Sequence, residues 1–337
     1  MTDIVRFQYE QLLDKLAKAL TNLGVPEAMA YQEVAIMLDA DKCEVPSHGI
    51  RMFPKLVQAI SDGLVAPDIE PTEMKTNNAM TVIDYHNGLG RYSSQHAMTR
   101  AQVNARKFGI GACIAINTTH WGRAHYYVRE AANNGFLGFC TTNAVPSMTL
   151  QDCKFAVLGN NPIGIGAPTG DGTAPLVLDM ALSQSSVGKI ATASRHNRKV
   201  EYGLGVNRCG ELSDDPDEIL DGAVIPMGGY KGESLAIMTE CLTSILAGSD
   251  NSLELKDDNA PSVDSRSSKL FIALNINAST SLEAYYGKAN KFIHSLKKTS
   301  VNYRSPGERS WHAAKNNSIS IPVHNDIVAE LKKFGVV

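Results

Sequence analysis

The chain has 337 residues, 43% of them apolar, with 32 basic against 35 acidic side chains and a net charge of −3. That length suggests about two domains, the apolar content allows a sizeable core, and the balanced charge argues against a nucleic-acid partner. No apolar stretch approaches a membrane span, and the start, MTDIVRFQYEQLL, lacks the basic-then-apolar layout of a signal peptide. A cytoplasmic protein is expected. The six cysteines (Cys43, Cys113, Cys140, Cys153, Cys209 and Cys241) form no CxxC pair, which fits a reducing compartment, and they read as buried thiols.

The first seventy residues read as helices. Leu12, Leu13, Leu16, Leu20 and Leu23 recur at helical spacing until Gly24 supplies a stop, and Pro26 then opens PEAMAYQEVAIMLDADK. A third helix is expected after PSHG, with Ile50, Phe53, Leu56, Val57 and Ile60 on one face and Ser47 as its N-cap. Pro54 falls early in that stretch, so a start a few residues later is the alternative. From about residue 77 the pattern becomes short apolar runs alternating with amphipathic helices. AMTVIDY, GIGACIAINT, GFLGFCTTN, PIGIGAP and PLVLDMA read as strands, with SSQHAMTRAQVNARK and RAHYYVREAANN as helices between them. This alternation predicts an α/β domain. ESLAIMTECLTSILAG reads as a helix, GSDNSLELKDDNAPSVDSRSS as a surface loop, KLFIALNINA as a late strand, and TSLEAYYGKANKFIHSLKK and NDIVAELKKFG as closing helices.

No G-x-G-x-x-G is present, since GLGRYS has Ser93 and GLGVNR has Arg208 at the third glycine, so a Rossmann domain is not expected. A P-loop, HExxH, EF-hand loop and GxSxG elbow are also missing. Among nine histidines, two stand out. His48 follows a cap-type serine at a helix entrance, where the helix field would lower its pKa and suit it to proton transfer with a carbonyl. His120, in NTTHWGRAHYY, sits between a strand and a helix, at the edge where α/β folds bind ligands. A histidine satisfied by a neighbouring carbonyl is the competing reading for both. In GNNPIGIGAP an Asn-Pro turn precedes glycines spaced by two, which fits either a tight turn or a close approach to a flat group. Asp179 ends the apolar run PLVLD, where it could orient a histidine, hold a ribose hydroxyl or cap a turn. Lys231 in PMGGYKGES and Arg309 in SPGERS suit an anionic group. His120 and His125, five apart with no third ligand evident nearby in the sequence, make a poor metal site.

In order along the chain, SHGI (47–50), HWG (120–122), GNNP (159–162), LDMALS with GK (178–189), PMGGYKG (226–232) and PGER (306–309) resemble the type-2 malate/L-lactate dehydrogenase family. That family also includes ureidoglycolate and sulfolactate dehydrogenases, 2,3-diketogulonate reductase and Δ1-piperideine-2-carboxylate reductase. The resemblance covers almost the whole chain. It implies a non-Rossmann, NAD- or NADP-binding sheet domain (77–285) and a helical domain built from residues 1–76 and 286–337. It also implies a homodimer with the active site near the subunit interface. By position, His48 becomes the proton donor in reduction, with Ser47 beside it, and His120 and Asp179 join the catalytic set. The cofactor contacts implied are His120, Asn161, Pro162, Pro175, Leu176, Val177, Leu178, Asp179, Met180, Ala181, Tyr230, Lys231, Gly307, Glu308 and Arg309.

The chain also departs from the family pattern. Many members carry an arginine four residues after the histidine, suited to the substrate carboxylate; here Met52 stands there, and Arg51 precedes it. On a helix the two positions lie roughly 60° behind and 40° ahead of His48, so Arg51 is expected to reach the substrate at a different angle, with Met52 beside it. GNNP stands for GTNP, and VNRCG for a familiar VDxxG. The expected activity is hydride transfer between a nicotinamide and a malate- or lactate-like acid. A reductase of a cyclic imine carboxylate and a weakly catalytic dinucleotide-binding paralogue are the alternatives.

Overall fold

A computed structural model describes residues 4–151, 153–170, 172–255, 263–264, 266–300 and 302–336. A short strand, β1 (Ile4–Gln8), leads into helices α1 (Tyr9–Thr21), α2 (Glu27–Lys42) and α3 (Phe53–Ser61). There follow β2 (Thr72–Asn77), β3 (Met80–Gly88), α4 (Gly90–Phe108), β4 (Ile110–Thr118), α5 (Ala124–Asn133), β5 (Phe136–Thr142), β6 (Ile163–Ala167) and β7 (Leu176–Met180). Next come α6 (Val187–Arg195), two-residue strands β8 (Gly205–Val206) and β9 (Leu212–Ser213), α7 (Pro216–Asp221) and β10 (Ala223–Val224). The chain closes with α8 (Tyr230–Glu240), β11 (Ser267–Asn275), α9 (Leu282–Thr299), α10 (Glu308–Asn316), β12 (Ser320–His324) and α11 (Asn325–Lys332).

Seven strands form one mixed sheet in the order β2-β3-β4-β11-β5-β6-β7. Only β3 and β4 run parallel within it; every other neighbour is antiparallel. The late strand β11 inserts between β4 and β5, pairing Phe271 with Cys113 on one side and Cys140 on the other. α4 and α5 cover one face through Ala97, Met98, Ala101, Tyr127 and Val128, packed on Ile83, Tyr85, Ala115 and Phe271. Each large apolar side chain withdrawn in this way stabilises the fold by about 1.5–3 kcal/mol.

A second core joins the two ends of the chain. Leu12, Leu16 and Leu20 of α1, Val34, Met37 and Leu38 of α2, and Phe53 of α3 meet Ile321 and Val323 of β12 and Ile327 and Leu331 of α11. β1 and β12 pair antiparallel along its edge, from Ile4–His324 to Gln8–Ser320. Neither strand was expected, because IVRFQ and SIPVH are short and the second contains Pro322, which an edge strand tolerates. The expected surface loop 248–268 is only partly one. Residues 256–262 and 265 lie outside the described set, while Ser252, Leu255, Ser267 and Ser268 are buried. Of the cysteines, Cys43, Cys113 and Cys140 are buried thiols as expected, whereas Cys209 is exposed and Cys153 and Cys241 are half-buried.

Candidate active site

α2 ends at Lys42, and the chain then makes two single 3-10 turns, Pro46–His48 and Ile50–Met52, before α3 begins at Phe53. Pro54 thus falls in the first turn of α3, where its missing N–H costs nothing. The joint between the turns is pinned by Asp41, whose Oδ2 accepts the Ile50 N–H at 2.7 Å. Burial pushes the Asp41 carboxyl well above its usual range. Ser47 does not cap a helix as expected; its Oγ lies 3.0 Å from His48 Nδ1 and orients the ring. His48 closes its turn rather than opening a helix. The low proton affinity expected from a helix field therefore has another cause: burial, with the Arg123 and Arg91 guanidiniums, pushes its pKa down to about 3.

His120 follows β4 and faces His48, with ring centroids 5.9 Å apart. Its Nδ1 accepts the Gly122 N–H at 3.1 Å, and its Nε2 lies 4.0 Å from Asp264 Oδ2. Burial lowers its pKa well below the usual value, helped by Arg91, His48, Lys269 and Lys55. Arg91 stands at the start of α4. Its Nη1 donates to Glu33 Oε1 at 3.0 Å and its Nη2 to the His48 carbonyl at 3.4 Å, so a buried ion pair supports the turn from below. Glu33 Oε2 also accepts the N–H groups of Arg91 and Tyr92, closing the N-terminus of α4. Lys269 of β11 is 1% exposed, and its ammonium donates to Thr118 Oγ1, the Thr119 carbonyl and Ser267 Oγ, bracing the segment that carries His120.

Three stretches distant in sequence meet at β7. Met227 N–H donates to the Leu182 carbonyl at 2.8 Å, and Val177 N–H donates to the Pro306 carbonyl at 3.0 Å. Gly307, with φ +82°, lies so close to the strand that a Cβ there would fall 2.8 Å from Val177 Cβ. Pro175, Leu176, Val177, Leu178, Asp179, Met180 and Ala181 are thereby flanked by Tyr230 and Lys231 at the start of α8 and by Gly307, Glu308 and Arg309 at the start of α10. Tyr230, Lys231 and Arg309 are exposed; Glu308 pairs with Lys297 at 2.8 Å. Asp179 Oδ2 accepts from Arg123 Nε at 3.2 Å, and a Cβ on Gly188 would lie 3.4 Å from Ser47 Cβ, so the segment after β7 reaches the SHG turn. Asn161 is different in kind. It is fully buried, and its side chain is spent on the Ala144 N–H, the Ala236 carbonyl and Glu240, while the Pro162 carbonyl accepts from Thr141 Oγ1.

The family model described as malate/L-lactate dehydrogenase matches residues 7–332. The chain belongs to the malate/L-lactate dehydrogenase family. It is 29% identical over 320 residues to the malate/(S)-sulfolactate dehydrogenase of Methanothermus fervidus, covering 95% of this chain and 94% of that one. It is 30% identical over 346 residues to the malate dehydrogenase of Pyrococcus horikoshii, covering 98% and 94%. The solved sulfolactate dehydrogenase of Methanocaldococcus jannaschii superposes with a TM-score of 0.89 at 29% identity, over 98% of this chain and 96% of that one. Membership makes this chain an oxidoreductase of the hydroxy-acid dehydrogenase class, and a nicotinamide dinucleotide is the redox partner that class implies.

Within this family member, a pocket beside His120 is lined by Met52, Lys55, Leu56, Ala59, Val65, Arg91 and Thr119. Arg51 points elsewhere and pairs with Asp326 of α11 at 3.0 Å. His125 is also placed away from His120, in a buried group with Asp39 and Cys43 whose donor atoms lie within 4.8 Å of one another. Arg129 grips Asp39 through two bonds of 2.9 and 3.1 Å, and burial pushes the Cys43 thiol up to about 11. With guanidinium groups crowding it, this group is a buried polar network rather than a cation centre. Glu33, Asp41, Arg91, Lys55 and Lys269 escaped the sequence reading. Arg123 carried one usable signal, since it lies three residues after His120 in the same motif.

Proposed function

We propose that this dehydrogenase interconverts a 2-hydroxy acid and its 2-oxo acid, with His48 taking and returning the hydroxyl proton. The Ser47–His48 pair carries the reading: an oriented imidazole, 3.0 Å from a hydroxyl, with the ring of a second histidine 5.9 Å away. With a pKa of about 3, His48 is neutral near pH 7, the state that accepts a proton from a hydroxy acid. In the reductive direction the ring must hold a proton, and an anionic substrate beside it raises its affinity for one. Ser47 on Nδ1 leaves Nε2 as the atom that meets the substrate. His120 lines the substrate pocket next to it.

When bound, NAD or NADP supplies the hydride acceptor or donor. The residues gathered at β7 suit such a cofactor: an exposed helix N-terminus with Lys231, and Arg309 at the start of α10, just after the Gly307 that packs on Val177, match a pyrophosphate. On this reading residues 175–181, Tyr230, Lys231 and 307–309 hold the dinucleotide on a sheet that is not of the parallel Rossmann type, while the buried Asn161 braces α8 through the Ala236 carbonyl. The predominantly antiparallel strand order supports that reading. We further propose a cytoplasmic homodimer, the dimer being supported by the exposed Leu235, Ile237 and Met238 of α8.

Absorbance of the reduced nicotinamide tests the reading, with NADH and NADPH in turn against 2-oxo acids and a cyclic imine carboxylate. His48→Asn is expected to lower kcat by about a thousandfold, in the range of lost general acid–base catalysis, while cofactor binding followed by fluorescence is retained. Near-normal turnover in that variant would remove His48 from the mechanism.

A further inference from the structure

We propose that the cavity at the N-terminal end of β7 takes the adenosine end of the dinucleotide, and that Lys315 there pairs with a 2′-phosphate, so that NADP is the preferred cofactor. This rests on the dehydrogenase reading of the site and adds the far half of the cofactor site and the choice between the two dinucleotides.

The cavity measures about 290 Å³ and is walled by Asn133 at the end of α5, Thr169 and Pro175 of the β6–β7 connection, Tyr286 of α9, and Trp311 and Lys315 of α10. That volume lies near the lower bound for small-molecule sites, which suits one half of a dinucleotide rather than the whole. The distance from His48 follows along two elements. Arg123, whose charge reaches His48, bonds Asp179 at 3.2 Å, and α5 runs from the next residue to Asn133 at the cavity, a span of about 15 Å. Asp179 stands four residues on from Pro175, about 13 Å of extended chain. The two agree, and an extended dinucleotide spans a similar distance between its two rings. β7 is an edge strand, and Gly307 packs on Val177 part-way along it, so the turn leading to Arg309 lies between the two ends. The cavity wall is preformed. Thr173 Oγ1 donates to Thr169 Oγ1 at 2.9 Å, Thr169 Oγ1 to the Ala174 carbonyl at 2.9 Å, and Asn290 Nδ2 ties the Thr169 carbonyl to α9 at 2.8 Å.

Trp311 and Lys315 are four apart on α10 and share a face. Lys315 is exposed, its Nζ lies 3.6 Å from the Trp311 ring centroid, and among the described residues no carboxylate pairs with it. An exposed cation over an aromatic face is held more weakly than one bonded to a phosphate, so a phosphate draws the ammonium off the ring and frees the indole for stacking. Half-buried Tyr286 offers a second ring. The two dinucleotides differ at the adenosine ribose: a carboxylate there accepts the 2′-hydroxyl of NAD, whereas a cation accommodates the 2′-phosphate of NADP. The described lining of this cavity supplies Lys315 and no carboxylate. Glu308, the one acidic residue of α10, is spent on Lys297 and the Ser305 N–H.

The test uses the whole chain, with adenosine 2′,5′-bisphosphate and adenosine 5′-phosphate as probes that carry no nicotinamide. Trp311 is one of two tryptophans, and the other, Trp121, is buried beside His120, so quenching of tryptophan fluorescence by these probes reports on the cavity. The bisphosphate is expected to quench and to bind at least about tenfold tighter than the 5′-phosphate, the worth of one charge-assisted bond. Trp311→Phe is expected to abolish the quench. Lys315→Met is expected to bring the two probes, and likewise NADPH and NADH, to within about threefold of each other in Kd, and Lys315→Arg to restore the preference. Equal affinities for the two probes in the wild type, or tighter binding of NADH than of NADPH, overturn the proposal while leaving the dehydrogenase reading intact. A preference that survives in Lys315→Met gives the phosphate to another cation and overturns it equally, as does binding of the bisphosphate without a Trp311 quench. If the wild type binds neither reduced dinucleotide, the dehydrogenase reading fails first, and the proposal falls with it.

Discussion

A methyl group added at Gly49 would lie 2.2 Å from the Asp41 carboxylate, closer than any real Cβ contact. Something must shift, and both candidates matter: Asp41 holds the Ile50 N–H, and the residue before Gly49 is His48. Overpacking of this kind costs about 1–3 kcal/mol, and the strain falls on the turn that aims the imidazole. Gly49→Ala is therefore expected to lower kcat at least tenfold in an enzyme that still folds. Gly287→Ala is the control, because its Cβ meets nothing and α9 gains a better helix former. Equal turnover in the two variants would show that the Asp41 clasp does not position His48. The sequence displayed His48 through its motif but hid its supports. Glu33 and Asp41 sit in α2 among ordinary helical charges, and nothing in their spacing marks them as 0% and 3% exposed. A buried ion pair such as Glu33–Arg91 joins residues 58 apart, and only the packed fold reveals it.

At the scale of elements, α8 is the least reconciled with an isolated chain. Leu235, Ile237, Met238 and, in the π turn that continues it, Leu242 and Ile245 are all exposed, as is Leu246 just beyond, at between 39% and 59%. The helix and its π continuation leave this apolar stretch uncovered, while α8 buries only Gly232, Ala236, Thr239 and Glu240. A helix of that character is normally covered. A second copy of the chain is the occupant proposed, and a stable dimer needs about 800 Å² per partner. Leu242→Asp with Ile245→Asp is expected to convert the dimer to monomer in sedimentation at micromolar concentration, without loss of helical content. A dimer that persists would place the interface elsewhere. The helix was legible in the sequence, but its exposed face was not, because periodicity distinguishes apolar from polar positions and not which apolar face finds a partner. The same limit explains β11: its apolar run marks a strand, while its place between β4 and β5 depends on a crossover of more than a hundred residues.

Across the whole molecule, the buried histidines couple the site to stability. His48 and His125 have pKa values pushed down to about 3 and about 2, and His120 is lowered well below the usual value, in each case mainly by burial. In the unfolded chain each titrates near 6.5. Below that pH the unfolded state binds protons that the native state refuses, so the difference in bound protons is positive and stability falls as pH falls, from about 6.5 towards 3. Each fully engaged group contributes a slope of about 1.4 kcal/mol per pH unit. Asp41 works in the opposite sense, since its raised native pKa favours protonation on folding and offsets part of that slope. Even one histidine's share of about 1.4 kcal/mol per pH unit is large beside a total stability of about 5–15 kcal/mol. The urea midpoint is expected to drop steeply between pH 6.5 and 5, and His125→Gln, which removes one of the titrating groups away from the substrate pocket, is expected to flatten the slope by about one group's share. A midpoint unchanged from pH 7 to 5 would mean that these rings are not held neutral, and the argument that His48 rests as a base would lose its footing. The burial that excludes the imidazolium from the resting site is thus the same burial that limits how far the fold tolerates acid.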